Sequence, residues 1–396
     1  MQELKLLEKN KDIKNLKVFL RVDFNVPMQN QAVSDSTKIT KVKTIVEDLL
    51  NRGAVVILCS HLGRPQVKGK EGFSLEPVRS EAEKIIGREI VFVAEDFKNI
   101  ISQKISENKN LFLLENIRFD PNEEKNGDEL SKKLADLCDI YINEAFSCSH
   151  RKHASIFGIT QFVDSYAGET IHQELTALNS IVTDTQKPMA CLIGGSKIST
   201  KIDLITSLMP KIDYMIIGGA MANNFFKHQG FQVGKSKIEE NIDSIVKNII
   251  TTASKSNCKL ILPIDVVTAK TFEDQGANKN LDQVENDEMI LDIGTKTIAS
   301  ISNILQESKT VFWNGPFGFF EKDSFANGTK AISNTVADLT KQGKLVSIAG
   351  GGDTFAAIKK SKRENEFTYI STAGGAFLEW LEGKVLPGLK VLEIKN

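Results

Sequence analysis

Leu345-Val-Ser-Ile-Ala-Gly-Gly-Gly-Asp-Thr354 carries a strand-type apolar run into three glycines, Asp353 and Thr354, and a helical pattern follows through Phe355, Ala356, Ala357 and Ile358. A glycine turn between a buried strand and a helix lets backbone N–H groups approach a phosphate, and the helix N-terminus adds positive potential. Asp353 then stands at the helix start, either as an N-cap or as a ligand for magnesium among phosphate oxygens. Glycine turns recur after other strand-type runs, at Gly194-Gly-Ser-Lys197-Ile-Ser-Thr-Lys201, Gly218-Gly-Ala-Met-Ala222, Asn314-Gly-Pro-Phe-Gly318 and Thr372-Ala-Gly-Gly375-Ala376. Lys197 and Lys201, four apart, share a face if their turn opens a helix. The set reads as a nucleotide site built from backbone amides, lysines and a metal. Neither Gly-x-x-x-x-Gly-Lys-Ser/Thr nor a suitably placed Gly-x-Gly-x-x-Gly occurs, which excludes a P-loop or a dinucleotide fold by motif and disfavours a dehydrogenase-like protein.

Working outward, apolar runs alternate with helix-period segments along the whole chain. Strands are expected at Val18–Val26, Ala54–Ser60, Ile90–Ala94, Leu111–Leu114 and Asp139–Ala145, with amphipathic helices at Ser36–Leu50 and Pro77–Ile86. The second half repeats the style at Met189–Ile193, Tyr214–Ile217, Leu260–Pro263, Val311–Trp313 and Leu345–Ala349. Such alternation predicts parallel sheets with crossover helices. With 396 residues the expectation is α/β with two Rossmann-like domains, each a mainly parallel sheet flanked by helices. Their seam falls between Ala167 and Lys187, where Glu169–Val182 reads as a helix with Ile171, Leu175, Leu178 and Val182 on one face. That segment is either a hinge or a plain linker.

In open α/β sheets ligands bind beyond the carboxyl ends of the strands. Those ends in the first half carry Arg21, Asp23 and Asn25, which period-2 alternation puts on one face, then His61, Gly63 and Arg64, then Arg118, then Arg151 with His150 and His153. Only eight of the 50 basic residues are arginine, and seven of those lie in the first 151 positions. Guanidinium groups from four separate strand ends make a basic pocket for a small, multiply charged anion bearing phosphate and carboxylate.

Bulk composition excludes other classes. The net charge of −1 argues against nucleic acid or anionic membrane as the main partner. Five scattered cysteines without a Cys-x-x-Cys pair suit a reducing cytoplasm and speak against a zinc site or a disulfide framework. The first ten residues lack a long apolar core and carry acids, so they are not expected to be a signal peptide, and no apolar run reaches membrane-spanning length.

Several long strings, in order, carry a resemblance: RVDFNVP (21–27), HLGRP (61–65), LLENIRF (113–119), YINEAF and HRKHAS (141–155), GGSKISTK (194–201), GGAMAN (218–223), LPIDVV (262–267), FWNGPFGFFE (312–321), GGGDT (350–354), STAGGA (371–376) and LEGKVLPG (381–388). From Leu16 to Gly388 the chain resembles the phosphoglycerate kinase family. The resemblance implies two lobes with a cleft: residues 1–168 binding the acid substrate, a helical hinge over 169–186, residues 187–385 binding nucleotide, and a tail, 386–396, packing back on the first lobe. It implies transfer of a phosphoryl group between 1,3-bisphosphoglycerate and ADP, giving 3-phosphoglycerate and ATP, by a cytoplasmic monomer using Mg2+ as MgADP or MgATP. By resemblance, Asp23, Asn25, Lys38, His61, Gly63, Arg64, Arg118 and Arg151 hold the glycerate, and Arg21 orients that face. Lys201, Asn314, Gly351, Gly352, Asp353 and Thr354 serve the nucleotide phosphates, Glu321 the ribose, and Asp353 the magnesium. Arg21, Lys38, Lys197 and the amides of Gly352 and Gly375 form the catalytic set. Lys38 stands where the family has arginine, which raises a second reading, a catalytically impaired binding protein. Glu144, Ser147 and Ala373 also depart from the family strings; Ala373 is tolerable at negative φ.

Overall fold

The protein, seen in a computed structural model, is described over residues 3–65, 71–182 and 185–394. Thr183 and Asp184 in the polar stretch after the expected hinge helix, the Val182 side chain expected on that helix's apolar face, and the tail residues Lys395 and Asn396 lie outside the described residues. The chain divides into two compact units, residues 1–175 with 385–396, and residues 176–384. The division falls inside the helix Glu169–Val182.

The first unit is built on six parallel strands: β1 (Lys17–Arg21), β2 (Val55–Cys59), β3 (Val91–Val93), β4 (Leu111–Leu114), β5 (Ile140–Asn143) and β6 (Asp164–Ala167). Their order is β3-β4-β2-β1-β5-β6. Covered on both faces, the central strands are continuous apolar runs. Alternation still divides them: Val18, Leu20, Val56 and Leu58 join one core cluster, while Phe19, Ile57, Cys59 and Phe112 join the other. Helix Thr37–Asn51 closes the first face with Ile39, Val42, Val46 and Leu49, spaced three, four and three. Helix Glu76–Ile86 adds Val78, Ala82 and Ile86 and stops at left-handed Gly87 (φ 75°).

β1 ends at Arg21, five residues short of the expected strand, because Val22–Val26 leave the ladder once Val22 N–H has bonded Cys59 O at 3.0 Å. The tail lies on this unit: Gly388 N–H donates to Ser149 O at 2.8 Å, and Leu4 bridges Glu393.

The second unit repeats the plan with β7 (Met189–Ile193), β8 (Tyr214–Ile217), β9 (Lys259–Ile261), β13 (Thr310–Asn314), β14 (Val346–Gly350) and β15 (Tyr369–Ser371), parallel, in the order β9-β8-β7-β13-β14-β15. Between β9 and β13 the chain makes an antiparallel sheet of β10 (Asp265–Ala269), β11 (Ala277–Asn280) and β12 (Met289–Ile293), with β10 central. That sheet, β6 and β15 are elements the apolar pattern does not announce. Among the described residues no helix is long and apolar enough to cross a membrane.

Candidate functional site

In the first unit the strand order reverses at β1, which has β2 on one side and β5 on the other. Loops leaving that point carry the site. The Asp23 carboxylate holds Lys38 Nζ at 2.7 Å and accepts from Ser147 Oγ at 2.6 Å. Lys38 also donates to Asn25 O at 3.1 Å. Asp23 is desolvated, yet Lys38 and His61 hold its carboxyl well below the usual range. Asn25 Oδ1 accepts Gly63 N–H at 2.9 Å, and Arg118 donates to Gly63 O at 2.7 Å, so the left-handed Gly63 (φ 60°) is clamped from both sides. Asn116 braces this loop, accepting from Leu62 N–H at 3.2 Å and donating to Leu62 O at 2.8 Å.

Arg118 is buried, its Nε 3.2 Å from Glu124. Burial lowers its pKa, and the nearby Arg151 lowers it further. Arg151 is half-buried, with Nε 3.2 Å from His150 Nε2; Arg64 is exposed. Burial, with Arg151 and Arg118 adding to it, depresses His150 to about 4 and His153 to about 3. Both are neutral at pH 7.

Arg21 differs from the expectation that it shares a face with Asp23 and Asn25. At 1% exposure it lies inside the unit, with Nε on Ser155 Oγ at 2.9 Å and NH2 3.2 Å from His61 Nδ1. The alternation stops with the strand at Arg21, so that residue turns inward while Asp23 and Asn25 sit in the loop beyond. Arg118 and Arg151 stay within electrostatic reach of each other beyond the strand ends, with Arg21 behind them in the interior.

In the second unit the order reverses at β7, between β8 and β13. Lys201 Nζ bridges this point, donating to Gly194 O at 2.8 Å, Asn314 O at 3.2 Å and Asn314 Oδ1. Burial pushes its pKa down to about 8, against the pull of Asp353. Thr354 is buried, and its hydroxyl accepts Gly315 N–H at 2.7 Å and donates to Gly350 O at 2.8 Å. Expected on the phosphates, that hydroxyl is spent on the glycine turn, because it closes the first turn of the helix onto β13.

Gly351, at φ 102°, turns the chain into helix Gly352–Lys360. Gly352 has open space around it, and Asp353 is exposed in the first turn. Gly374 (φ 56°) makes the equivalent entry into helix Gly375–Leu381, and Ala373 is absent from the positive-φ residues, as its side chain requires. Lys197 is exposed.

Beside these turns a cavity of about 550 Å³ is lined by Gly219, Ala220, Pro263, Phe272, Leu291 and Phe319, with Lys235, Lys237, Glu321 and Asp353 also on its wall. A mostly apolar slot with a few charged groups suits a nucleoside. Asp292 backs it, accepting Gly328 N–H at 2.7 Å; burial raises its carboxyl to about 7.

Glu123, Ser155 and Asp292 escape sequence reasoning. Ser155 closes the HRKHAS string, but Glu123 and Asp292 carry no spacing signal, since their partners, Ser155 and Gly328, lie 32 and 36 residues further along the chain in helical segments.

The sequence model described as "Phosphoglycerate kinase" matches residues 8–384. A phosphoglycerate kinase of Bartonella quintana is 45% identical over 386 residues, covering 96% of this chain and 97% of that one. One from Wolbachia pipientis is 43% identical over 383 residues, 96% of each chain. The solved phosphoglycerate kinase of Coxiella burnetii superposes with a TM-score of 0.86 at 36% identity, covering 98% of both chains. Fold, strand-end residues and relatives agree, and the chain belongs to the phosphoglycerate kinase family.

Proposed function

We propose that the chain catalyses reversible phosphoryl transfer between 1,3-bisphosphoglycerate and ADP, giving 3-phosphoglycerate and ATP, with the organic acid on the first unit and the nucleotide on the second. The observation that carries this is the cationic cluster beyond β1. Arg151 lies close enough to Arg118 to lower its pKa, Arg118 and Lys38 both act on the neutral imidazole of His61, and the acids directly among these cations, Asp23 and Glu124, are each already engaged by one of them. Such a cluster is completed by a multiply charged anion.

The attacking group, a carboxylate or an ADP phosphate oxygen, is already anionic at neutral pH, so no general base is needed. The work is alignment and neutralisation of a group whose charge spreads over three oxygens. Arg64, Arg118 and Arg151, with Asp23, Asn25, Lys38, His61 and Gly63, hold the glycerate. Glu321 takes the ribose, Lys201, Asn314, Gly351 and Thr354 support the phosphate-facing turn, and Lys197 with the amides of Gly352 and Gly375 meets the group in flight.

Asp353, exposed at a helix start on the cavity wall, fits a magnesium ion carried by the nucleotide. Bound there, the ion would screen charge between phosphate oxygens. Donor and acceptor held on different units must be brought into line, and water expelled, before transfer. Lys38 keeps a cation on Asp23 in place of the family arginine, and nothing in the site favours the impaired reading.

The test uses purified protein, MgATP, 3-phosphoglycerate and hydroxylamine, which traps an acyl phosphate as hydroxamate. Hydroxamate forming only with all substrates present supports the assignment; none above an enzyme-free control overturns it.

A further inference from the structure

Glu123 is fully buried, yet it belongs to none of the groups assigned above. Its Oε2 accepts Ser155 N–H at 2.9 Å and its Oε1 accepts Ser155 Oγ–H at 2.6 Å. A hydroxyl has one proton, so Ser155 Oγ meets Arg21 Nε, 2.9 Å away, as acceptor. Arg21 NH1 is fixed on Val22 O, and NH2 lies 3.2 Å from His61 Nδ1.

A guanidinium can only donate, so His61 Nδ1 is the ring's lone-pair nitrogen and the proton sits on Nε2. Cys148 Sγ, 3.9 Å from the same Nδ1, is a weak neighbour that leaves this unchanged. Burial, with Arg21 adding to it, lowers the His61 pKa well below its ordinary value, which keeps the ring neutral. Among the described residues nothing bonds Nε2, and it is not among the buried unpaired atoms.

We propose that Glu123 is a positioning residue: through Ser155 and Arg21 it fixes the imidazole of His61 so that Nε2–H is the donor offered to the acid substrate. The substrate's identity rests on the function proposed above; the relay itself does not. Glu123 also anchors the charge of Arg21, which is buried and has no direct carboxylate partner among the described residues. The relay explains why a buried acid–base pair is kept beside the pocket, where apolar residues of similar volume often serve stability equally well.

The test is 15N NMR of histidine-labelled protein, reading the Nδ1 and Nε2 shifts of His61, with steady-state kinetics on the same samples. Wild type should show one neutral tautomer, Nε2–H. Ser155→Ala removes a single hydroxyl and leaves both charges, so it carries the test even if Glu123→Gln fails to fold. In each folded variant we expect a mixture of tautomers and a KM for 3-phosphoglycerate raised about tenfold, with KM for MgATP unchanged, as loss of one well-aimed hydrogen bond implies. An unaltered Nε2–H tautomer in folded Ser155→Ala, or equal rises in both KM values, overturns the relay. If wild type shows the tautomer but makes no acyl phosphate, the relay stands and the substrate assignment falls.

Discussion

Lys38 takes the place of a planar guanidinium with a single ammonium, and the structure shows how that is accommodated: Nζ reaches Asp23 at 2.7 Å and Asn25 O at 3.1 Å. Lys38→Met leaves a mostly buried carboxylate without its cation. We expect a loss of about 2 kcal/mol at pH 7 by chemical denaturation, together with weaker 3-phosphoglycerate binding. Because the folded Asp23 pKa is depressed, the stability tied to this pair is full above the unfolded value and fades as pH falls below about 4. A loss that persists undiminished at lower pH would show that the pair is not its source.

Lys201 supplies a second residue-scale prediction. Burial holds its pKa at about 8, and a bound polyphosphate favours its charged form. ADP binding at pH 8.5 should therefore take up a fraction of a proton, seen as calorimetric heats that differ between buffers of different ionisation enthalpy. Lys201→Arg should abolish that difference; identical heats for wild type would contradict the assignment. Residue types announced both groups, but their partners lay beyond sequence reasoning. Lys201 meets Asn314 only because β7 and β13 are neighbours in the sheet, and Arg21 turns inward only because β1 stops there.

At the scale of elements, the helix Glu169–Val182 begins on a buried acid. Glu144 Oε1 accepts Thr170 N–H at 2.9 Å and also the Thr170 hydroxyl, while Oε2 is buried with no hydrogen-bond partner among the described residues. Gly168 is required beside it, since a Cβ there would lie 1.7 Å from Oε2. Burial lifts this carboxyl to about 7. Between the unfolded value and about 7 the native state holds a proton that the unfolded chain has lost, so stability falls as pH rises through that window. Glu144→Gln should flatten this slope and leave the protein more stable at pH 8 by at most about 3 kcal/mol. Denaturant midpoints across pH 5–8 decide it, and parallel profiles for both proteins would refute it.

The parallel strands and their helices were legible because both-face burial writes continuous apolar runs, as in Leu111–Leu114. The antiparallel sheet was not: β11 is Ala-Asn-Lys-Asn, mostly exposed, and its strand character comes from pairing with β10.

For the whole molecule, each ligand should stabilise the protein by linkage, by about 2.7 kcal/mol at a hundredfold excess over Kd. With 3-phosphoglycerate on the guanidinium groups and ADP partly in the apolar slot, as proposed, the gain from the former should shrink as salt rises from 50 to 500 mM and that from the latter should shrink less. Equal salt sensitivity in thermal-shift experiments would argue against two half-sites of different character.

The central claim is that these two half-sites together move a phosphoryl group without a general base. Its most direct test is the 3-phosphoglycerate-dependent formation of ADP from MgATP, with the acyl phosphate drained by a coupled dehydrogenase. We expect steady turnover in wild type that falls at least a thousandfold in the Lys197→Ala, Asp353→Ala double variant, consistent with losing transition-state charge stabilisation worth roughly 4 kcal/mol or more. Wild-type turnover no faster than that of the double variant would contradict the account.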